Sequence, residues 1–225
     1  MKDKVVIITG ASSGIGKSCA EVFSKAGSHV VIASRNADKL GLVESELKMN
    51  GSVLKVIADV SKEEDCRRLV DETLKHFGRI DVLINNAGLS MRALLEEVNL
   101  NVLRELMDVN YWGTVYCTKY ALPHLLKNKG SITGISSIAG KKGLPGRSGY
   151  SASKFAMEGF LESVRIENMK KGIHVLVVCP GFTATGIRTA SLSKDGSYEW
   201  EQAWPHTPCT SVTRSRLSHG ARPTP

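Results

Sequence analysis

The run Val5-Val6-Ile7-Ile8-Thr9 has the apolar, β-branched character of a strand buried on both faces. It passes without a linker into Gly10-Ala11-Ser12-Ser13-Gly14-Ile15-Gly16 and then into a segment of helical length. The glycines permit a tight turn and a close approach of backbone to ligand, while the helix that follows points free N–H groups at the turn, where they attract anions. A plain turn before a helix is the alternative, but the strand, loop and helix context is the one a phosphate cradle requires.

The same alternation continues along the chain. Apolar strand-like runs fall at residues 5–9, 29–33, 53–58, 82–85, 132–136 and 175–179, with helical patterns at 15–26, 37–49, 62–77, 102–126 and 151–171. Asn36 and Ser61 are candidate N-caps, and Gly27, Gly51, Gly78 and Gly172 are candidate stops. This pattern predicts an α/β fold, a doubly wound parallel sheet of Rossmann type in three α/β/α layers, with strand order 3-2-1-4-5-6 and a ligand at the carboxyl ends of the strands.

At 225 residues, 42% hydrophobic and 23% charged, the chain can bury one sizeable core. No apolar run approaches the roughly 20 residues of a membrane span, and the N-terminus enters a strand at once, so a cytoplasmic protein is expected. Cys19, Cys66, Cys117, Cys179 and Cys209 are scattered without C-x-x-C pairs, and the histidines form no cluster, so neither a metal nor a disulfide framework is expected. The formal charge of +8 comes without a basic run and with acids interleaved, which argues for a solvated surface and a phosphate-bearing cofactor rather than nucleic acid.

Three further residues carry chemistry. Tyr150 and Lys154 stand four apart in a helical stretch and share one face of it, and Ser137 lies thirteen residues before Tyr150. Hydride transfer to a carbonyl leaves an alkoxide that must gain a proton, and the reverse needs an alcohol to lose one. A tyrosine can do both once a fixed positive charge favours the phenolate over a phenol of pKa about 10. Lys154 is placed to supply that charge. A serine hydroxyl would donate to the reacting oxygen and stabilise the charge that grows there; Ser136 competes with Ser137 for this role. Tyr111, Tyr116 and Tyr120 have helical spacing and read as packing residues. Asn110, in mid-helix, predicts a local kink.

Thr9-Gly10-x-x-x-Gly14-x-Gly16, Asn85-Asn86-Ala87-Gly88, Ser137 and Tyr150-x-x-x-Lys154, in that order, resemble the short-chain dehydrogenase/reductase family from about residue 4 to residue 188. The resemblance selects Ser137 by its spacing to Tyr150 and completes a catalytic set of Asn110, Ser137, Tyr150 and Lys154, in which Asn110 would hold a water in a proton relay through Lys154. It implies cofactor contacts at Gly10, Ser12, Ser13, Gly14, Ile15, Gly16, Asn86, Ala87, Gly88, Tyr150 and Lys154. Pro180, Gly181, Thr183 and Thr185 would contact the nicotinamide carboxamide. Asp59, followed by Val60, would bond the adenine amino group, although a turn or N-cap role is equally natural for it.

Cofactor choice reads from Ala33-Ser34-Arg35-Asn36, where an NAD enzyme usually presents an acid to the ribose. Without that carboxylate, and with Arg35 able to grip a 2′-phosphate bidentately beside Ser34, NADP(H) is expected; an ordinary surface arginine is the alternative.

A catalytic domain over 1–190 and an irregular, disordered tail over 191–225 are expected, since four of the seven prolines fall from Pro205 onward and periodicity is absent. The abrupt change suggests a frame change or truncation. The resulting reading is an NADP(H)-dependent oxidoreductase interconverting a ketone or aldehyde and an alcohol. The alternative is a catalytically impaired cofactor-binding module, and a protein-interaction scaffold ranks last. Leu89, Met91, Leu94, Leu95 and Phe182 suggest a lipophilic substrate, and by the resemblance the helices at 102–126 and 151–171 would form a homodimer.

Overall fold

The computed structural model describes residues 1–49, 51–181, 183, 185 and 191–199. Strands β1 (Val5–Thr9), β2 (His29–Ser34), β3 (Val53–Ile57), β4 (Val82–Asn85), β5 (Ser131–Ile135) and β6 (His174–Val178) form one parallel sheet. Its order is β3-β2-β1-β4-β5-β6, as the alternation predicts. Ile7 of β1 faces Val31 on one side and Leu83 on the other, and the direction of winding reverses between β1 and β4. A crevice at the carboxyl ends of the strands follows from that reversal.

The pleat of β1 distributes its side chains between two cores. Val6 and Ile8 join Ala20 of α1 (Gly14–Lys25) and Leu40, Val43 and Leu47 of α2 (Ala37–Lys48). Val5 and Ile7 join the core under α3 (Glu63–Phe77), α4 (Leu100–Met107), α5 (Gly113–Lys127) and α6 (Ser148–Glu167), which includes Leu69, Leu106, Leu125 and Leu161. All five β1 residues are buried, and each large side chain so buried contributes about 1.5–3 kcal/mol.

Asn36 caps α2 as predicted, its Oδ1 accepting from Lys39 N at 2.8 Å. Ser61 does not cap α3. Its hydroxyl donates to Asp59 Oδ1 at 2.8 Å, Lys62 takes the cap position, and Glu63, Glu64 and Asp65 complement the helix dipole. The helix expected over 102–126 is instead α4, a π-helical turn over Asp108–Trp112, and α5. Asn99 starts it early by accepting from Asn101 N at 2.9 Å. The expected kink thus takes the form of one wide turn around Asn110. Helix α6 starts three residues before the predicted 151, and a 3₁₀ turn over Met169–Lys171 leads to Gly172.

Residues 191–199 were expected to be irregular; they form a hairpin of β7 (Ser191–Leu192) and β8 (Tyr198–Glu199). Leu192 N donates to Ser90 O and Arg92 N to Leu192 O, both at 2.9 Å, while Asn99 N donates to Lys194 O at 2.8 Å. These bonds to a loop a hundred residues away in sequence leave no periodicity to read. The other tail residues and Phe182 lie outside the described residues. Among the described residues, no helix is long and apolar enough to cross a membrane.

Candidate functional site

Helix α1 opens with Ser13 at its N-cap position, in extended backbone and with no side-chain cap, and its first turn carries no acid. Its terminal N–H groups are therefore available to an anion. Gly10 and Gly14 have φ of 65° and 54°. A Cβ on Gly10 would stand 2.8 Å from Ala87 Cα, and one on Gly16 would stand 2.4 Å from Asn86 Nδ2. The loop therefore packs directly on the turn after β4. Thr9 locks the two together: its Oγ1 accepts from Asn86 N and Ala87 N, both at 3.0 Å, and Asn86 Nδ2 donates to Thr9 O at 2.9 Å. Gly16 thus serves packing, while Gly10, Ser12, Ser13, Gly14 and Ile15 line a cleft of about 600 Å³.

One end of that cleft is cationic. Ser34, Arg35, Asn36 and Lys39 line it, and Ser34 Oγ donates to Ser12 Oγ at 3.0 Å while accepting from Asn36 N. Lys39, in the first turn of α2, is a further cation of this lining that no motif singles out. Asp59 is the one carboxylate among the described residues that line the cleft. Its Oδ1 accepts from Ser61 N (3.1 Å) and Ser61 Oγ (2.8 Å), which is the turn geometry the sequence left open. Val60, Asn86, Ala87, Gly88, Lys154 and Thr185 continue the lining.

Ile135, Leu89 and Lys154 also line the cleft; Tyr150 and Ser137 are not among its lining residues, although Tyr150 stands one turn before Lys154 on α6. Tyr150 is 7% exposed, and the Ser137 hydroxyl lies close enough to its phenol to favour the phenolate. Ser136 is committed elsewhere, its Oγ donating to Glu158 Oε1 at 2.6 Å. Burial pushes the phenol above its ordinary value, opposed by the Ser137 hydroxyl and the positive charge of Arg147. Lys154 Nζ donates to Ile135 O at 2.8 Å and lies 5.9 Å from the Tyr150 ring centre. Burial lowers the Lys154 ammonium to about 8, with Glu158 and then Cys179 pulling it up. Lys154 thus stands beside the phenol without a direct hydrogen bond to it among those described. Nζ is turned to the Ile135 carbonyl, and the groups that hold the phenol down are Ser137 and Arg147.

Asn110 is fully buried in the π-helical turn. Its Oδ1 accepts from Leu89 N at 2.8 Å, and its Nδ2 donates to Leu89 O (2.9 Å) and Ser153 Oγ (2.8 Å). Its side chain thus fixes the segment after Gly88. A Cβ on Gly88 would stand 3.0 Å from Asn110 Oδ1 and 3.4 Å from Lys154 Nζ, so glycine there lets Asn110 and Lys154 approach the same strand end. Thr185 reaches the phosphate loop, 3.3 Å from a Cβ placed on Gly14. Pro180, Gly181 and Thr183 stand outside the cleft lining, with Thr183 Oγ1 donating to Gly181 O at 3.3 Å. Of the apolar residues assigned to substrate, Leu89 and Met91 are buried and Leu94 and Leu95 exposed. Tyr198 of β8 joins the cleft lining, a residue that no local pattern flagged.

An uncapped helix N-terminus, a glycine cradle, the cations Arg35 and Lys39, and the buried amine of Lys154 line one cleft, a donor set suited to a phosphate-bearing dinucleotide. The family model described as short chain dehydrogenase matches residues 4–196. A relative, the 11-beta-hydroxysteroid dehydrogenase-like 3 protein of Arabidopsis thaliana, is 42% identical over 189 residues, 83% of this chain and 61% of the relative. The chain thus spans about three-fifths of that relative's length. A solved short chain dehydrogenase/reductase of Burkholderia phymatum, in complex with NAD, superposes with a TM-score of 0.80 at 30% identity, covering 83% of this chain and 68% of its own. An alcohol dehydrogenase of the archaeon Thermococcus sibiricus, complexed with 5-hydroxy-NADP, does so with a TM-score of 0.80 at 28% identity, covering 86% of each chain. With its sheet order, its glycine loop and the family model in agreement over most of its length, this chain belongs to the short chain dehydrogenase family.

Proposed function

We propose that the chain is an NADP(H)-dependent oxidoreductase that interconverts a ketone or aldehyde and an alcohol, with Tyr150 as general acid and base. The observation that carries this reading is the buried Tyr150 one turn before Lys154 on α6, with Nζ 5.9 Å from the phenol ring centre and Lys154 lining the cleft, and with Ser137 favouring the phenolate. A nicotinamide cofactor, held by the glycine loop, Arg35 and Lys154, would supply or accept the hydride. Ser137 donates to the substrate oxygen, Tyr150 moves the proton at that oxygen, and Lys154 and Arg147 favour the phenolate by their charge. Asn110 holds the Leu89 segment in place and, in the proposed relay, a water next to Lys154. Pro180, Gly181, Thr183 and Thr185 would contact the carboxamide, and Asp59 the adenine.

Arg35, just after β2, and Lys39, in the first turn of α2, both line the cleft and support NADP(H) over NAD(H); Asp38 between them is not among the lining residues. A lipophilic substrate is supported by Leu94 and Leu95, 51% and 65% exposed, and by the hydroxysteroid dehydrogenase names of relatives. Exposed Trp112 and Phe155 next to α5 and on α6 support a homodimer through those helices. One observation favours a second reading, a cofactor-binding module of impaired turnover: Leu176 of β6 is 57% exposed. Titration with NADPH and NADH, followed by NADPH oxidation with a panel of lipophilic ketones, separates the two. Binding with turnover that is lost in Tyr150→Phe supports the enzyme, while binding without turnover of any ketone supports the module.

A further inference from the structure

Three side chains on one face of α6, each a turn after the last, reach three consecutive residues leaving β5. Tyr150 meets Ser137, Lys154 meets the Ile135 carbonyl, and Glu158 accepts from Ser136. The first two belong to the proposed chemistry; the third has no assigned task. Its carboxylate is drawn in, with the side chain only 12% exposed. Oε1 accepts from Ser136 Oγ at 2.6 Å and Cys179 Sγ at 3.5 Å, and Oε2 pairs with Lys141 Nζ at 2.5 Å. The fit is close: a Cβ on Gly140 would stand 2.3 Å from Oε1. One carboxylate therefore ties α6 to the end of β5, to the turn over Ile138–Gly140 and to the residue before Pro180.

We infer that Glu158 is a positioning residue of this site, anchoring the segment that presents Ser137 and placing a negative charge one turn beyond Lys154. The inference rests on the proposed oxidoreductase reading for its catalytic consequence, but not for its electrostatic one. Burial disfavours the Lys154 ammonium, and Glu158 is the first of the groups that favour it, ahead of Cys179. The other charged or titratable groups facing this cluster are Lys141, which partly offsets Glu158, Glu162 one turn further along α6, and Tyr150 with Arg147 one turn before. Removing the carboxylate charge should let Lys154 lose its proton at lower pH.

Glu158→Gln keeps the size and an acceptor for Ser136 but removes the charge. In this variant the Lys154 titration, followed by NMR of ¹³Cε-labelled lysine, is expected to move down by about half a pH unit or more. The high-pH limb of kcat should move with it, and kcat should fall about tenfold while NADPH affinity stays within about twofold. Glu158→Asp keeps the charge but shortens the reach. It should leave the Lys154 midpoint in place while kcat falls through loss of the Ser136 anchor, and it carries the test if the Gln variant does not fold. A Lys154 midpoint and pH limb unchanged in Gln, or an Asp variant with wild-type kcat, overturns the inference. If the wild type turns over no ketone yet the Lys154 midpoint moves in Gln, the oxidoreductase reading fails while the placement of charge by Glu158 is upheld.

Discussion

The two halves of the sheet are built to different standards. Around β1 and β2 the strands are sealed on both faces: Val5 to Ile8 and Val30 to Ile32 have no exposed surface. At the other edge, β6 is covered on one side by α6, yet Leu176 is 57% exposed and His174 is also open. The cofactor half thus has its stability supplied by two complete cores. The half that carries Ser137, Tyr150 and Lys154 shares one of those cores through Ile132, Met157 and Leu161, leaves its outer strand open, and adds specific polar ties, Glu158 to Ser136 and Asn110 to Leu89 among them. Nucleotide binding and turnover should accordingly respond differently to perturbation.

The largest effect that would sharpen this contrast is chemical. Tyr150→Phe removes the proton carrier, and kcat for ketone reduction should fall about 10²–10⁴-fold with NADPH affinity nearly unchanged; parallel loss of binding would show that the two halves are not separable. Next comes packing. Ile7→Ala should cost about 2–5 kcal/mol in denaturant unfolding, whereas Leu176→Ala should fall within about 1 kcal/mol, because its side chain is already in water. Equal costs would erase the comparison. Arg35→Ala should then weaken NADPH by about tenfold or more and leave NADH almost unaffected, measured by nicotinamide fluorescence. Smaller still, Asn36→Ala should cost about 0.5–2 kcal/mol by loss of the α2 cap.

A pH experiment probes the same boundary. Lys154 titrates near 8 in the folded chain and near its ordinary 10.5 when unfolded. Between those values the unfolded state binds more protons, so this group makes stability rise with pH across that window. Comparison of the wild type with Lys154→Met should show that slope disappear, with unfolding monitored from pH 7.5 to about pH 10.

Much of the cofactor half was legible because its determinants are local. Apolar β-branched runs place β1 and β2, the glycines mark the loop, and Asn36 sits where its own side chain can cap α2. The reactive half is less legible because its determinants are pairs distant in sequence. Nothing local distinguishes Glu158 from a surface helix acid, yet it accepts from a serine 22 positions away. Ser61 resembles a cap but is diverted by Asp59, two residues back. The wide turn at Asn110 arises because both ends of its amide bond the Leu89 backbone. The hairpin over residues 191–199 exists through bonds to residues 90, 92 and 99.

The central claim is hydride transfer governed by Tyr150, and deuterium transfer tests it most directly. With NADPH labelled at the transferring position and a lipophilic ketone, the wild-type chain should form an alcohol carrying one deuterium on the carbinol carbon, and Tyr150→Phe should bind NADPH yet form almost none. Unlabelled alcohol, or equal labelling by both proteins, would contradict the account.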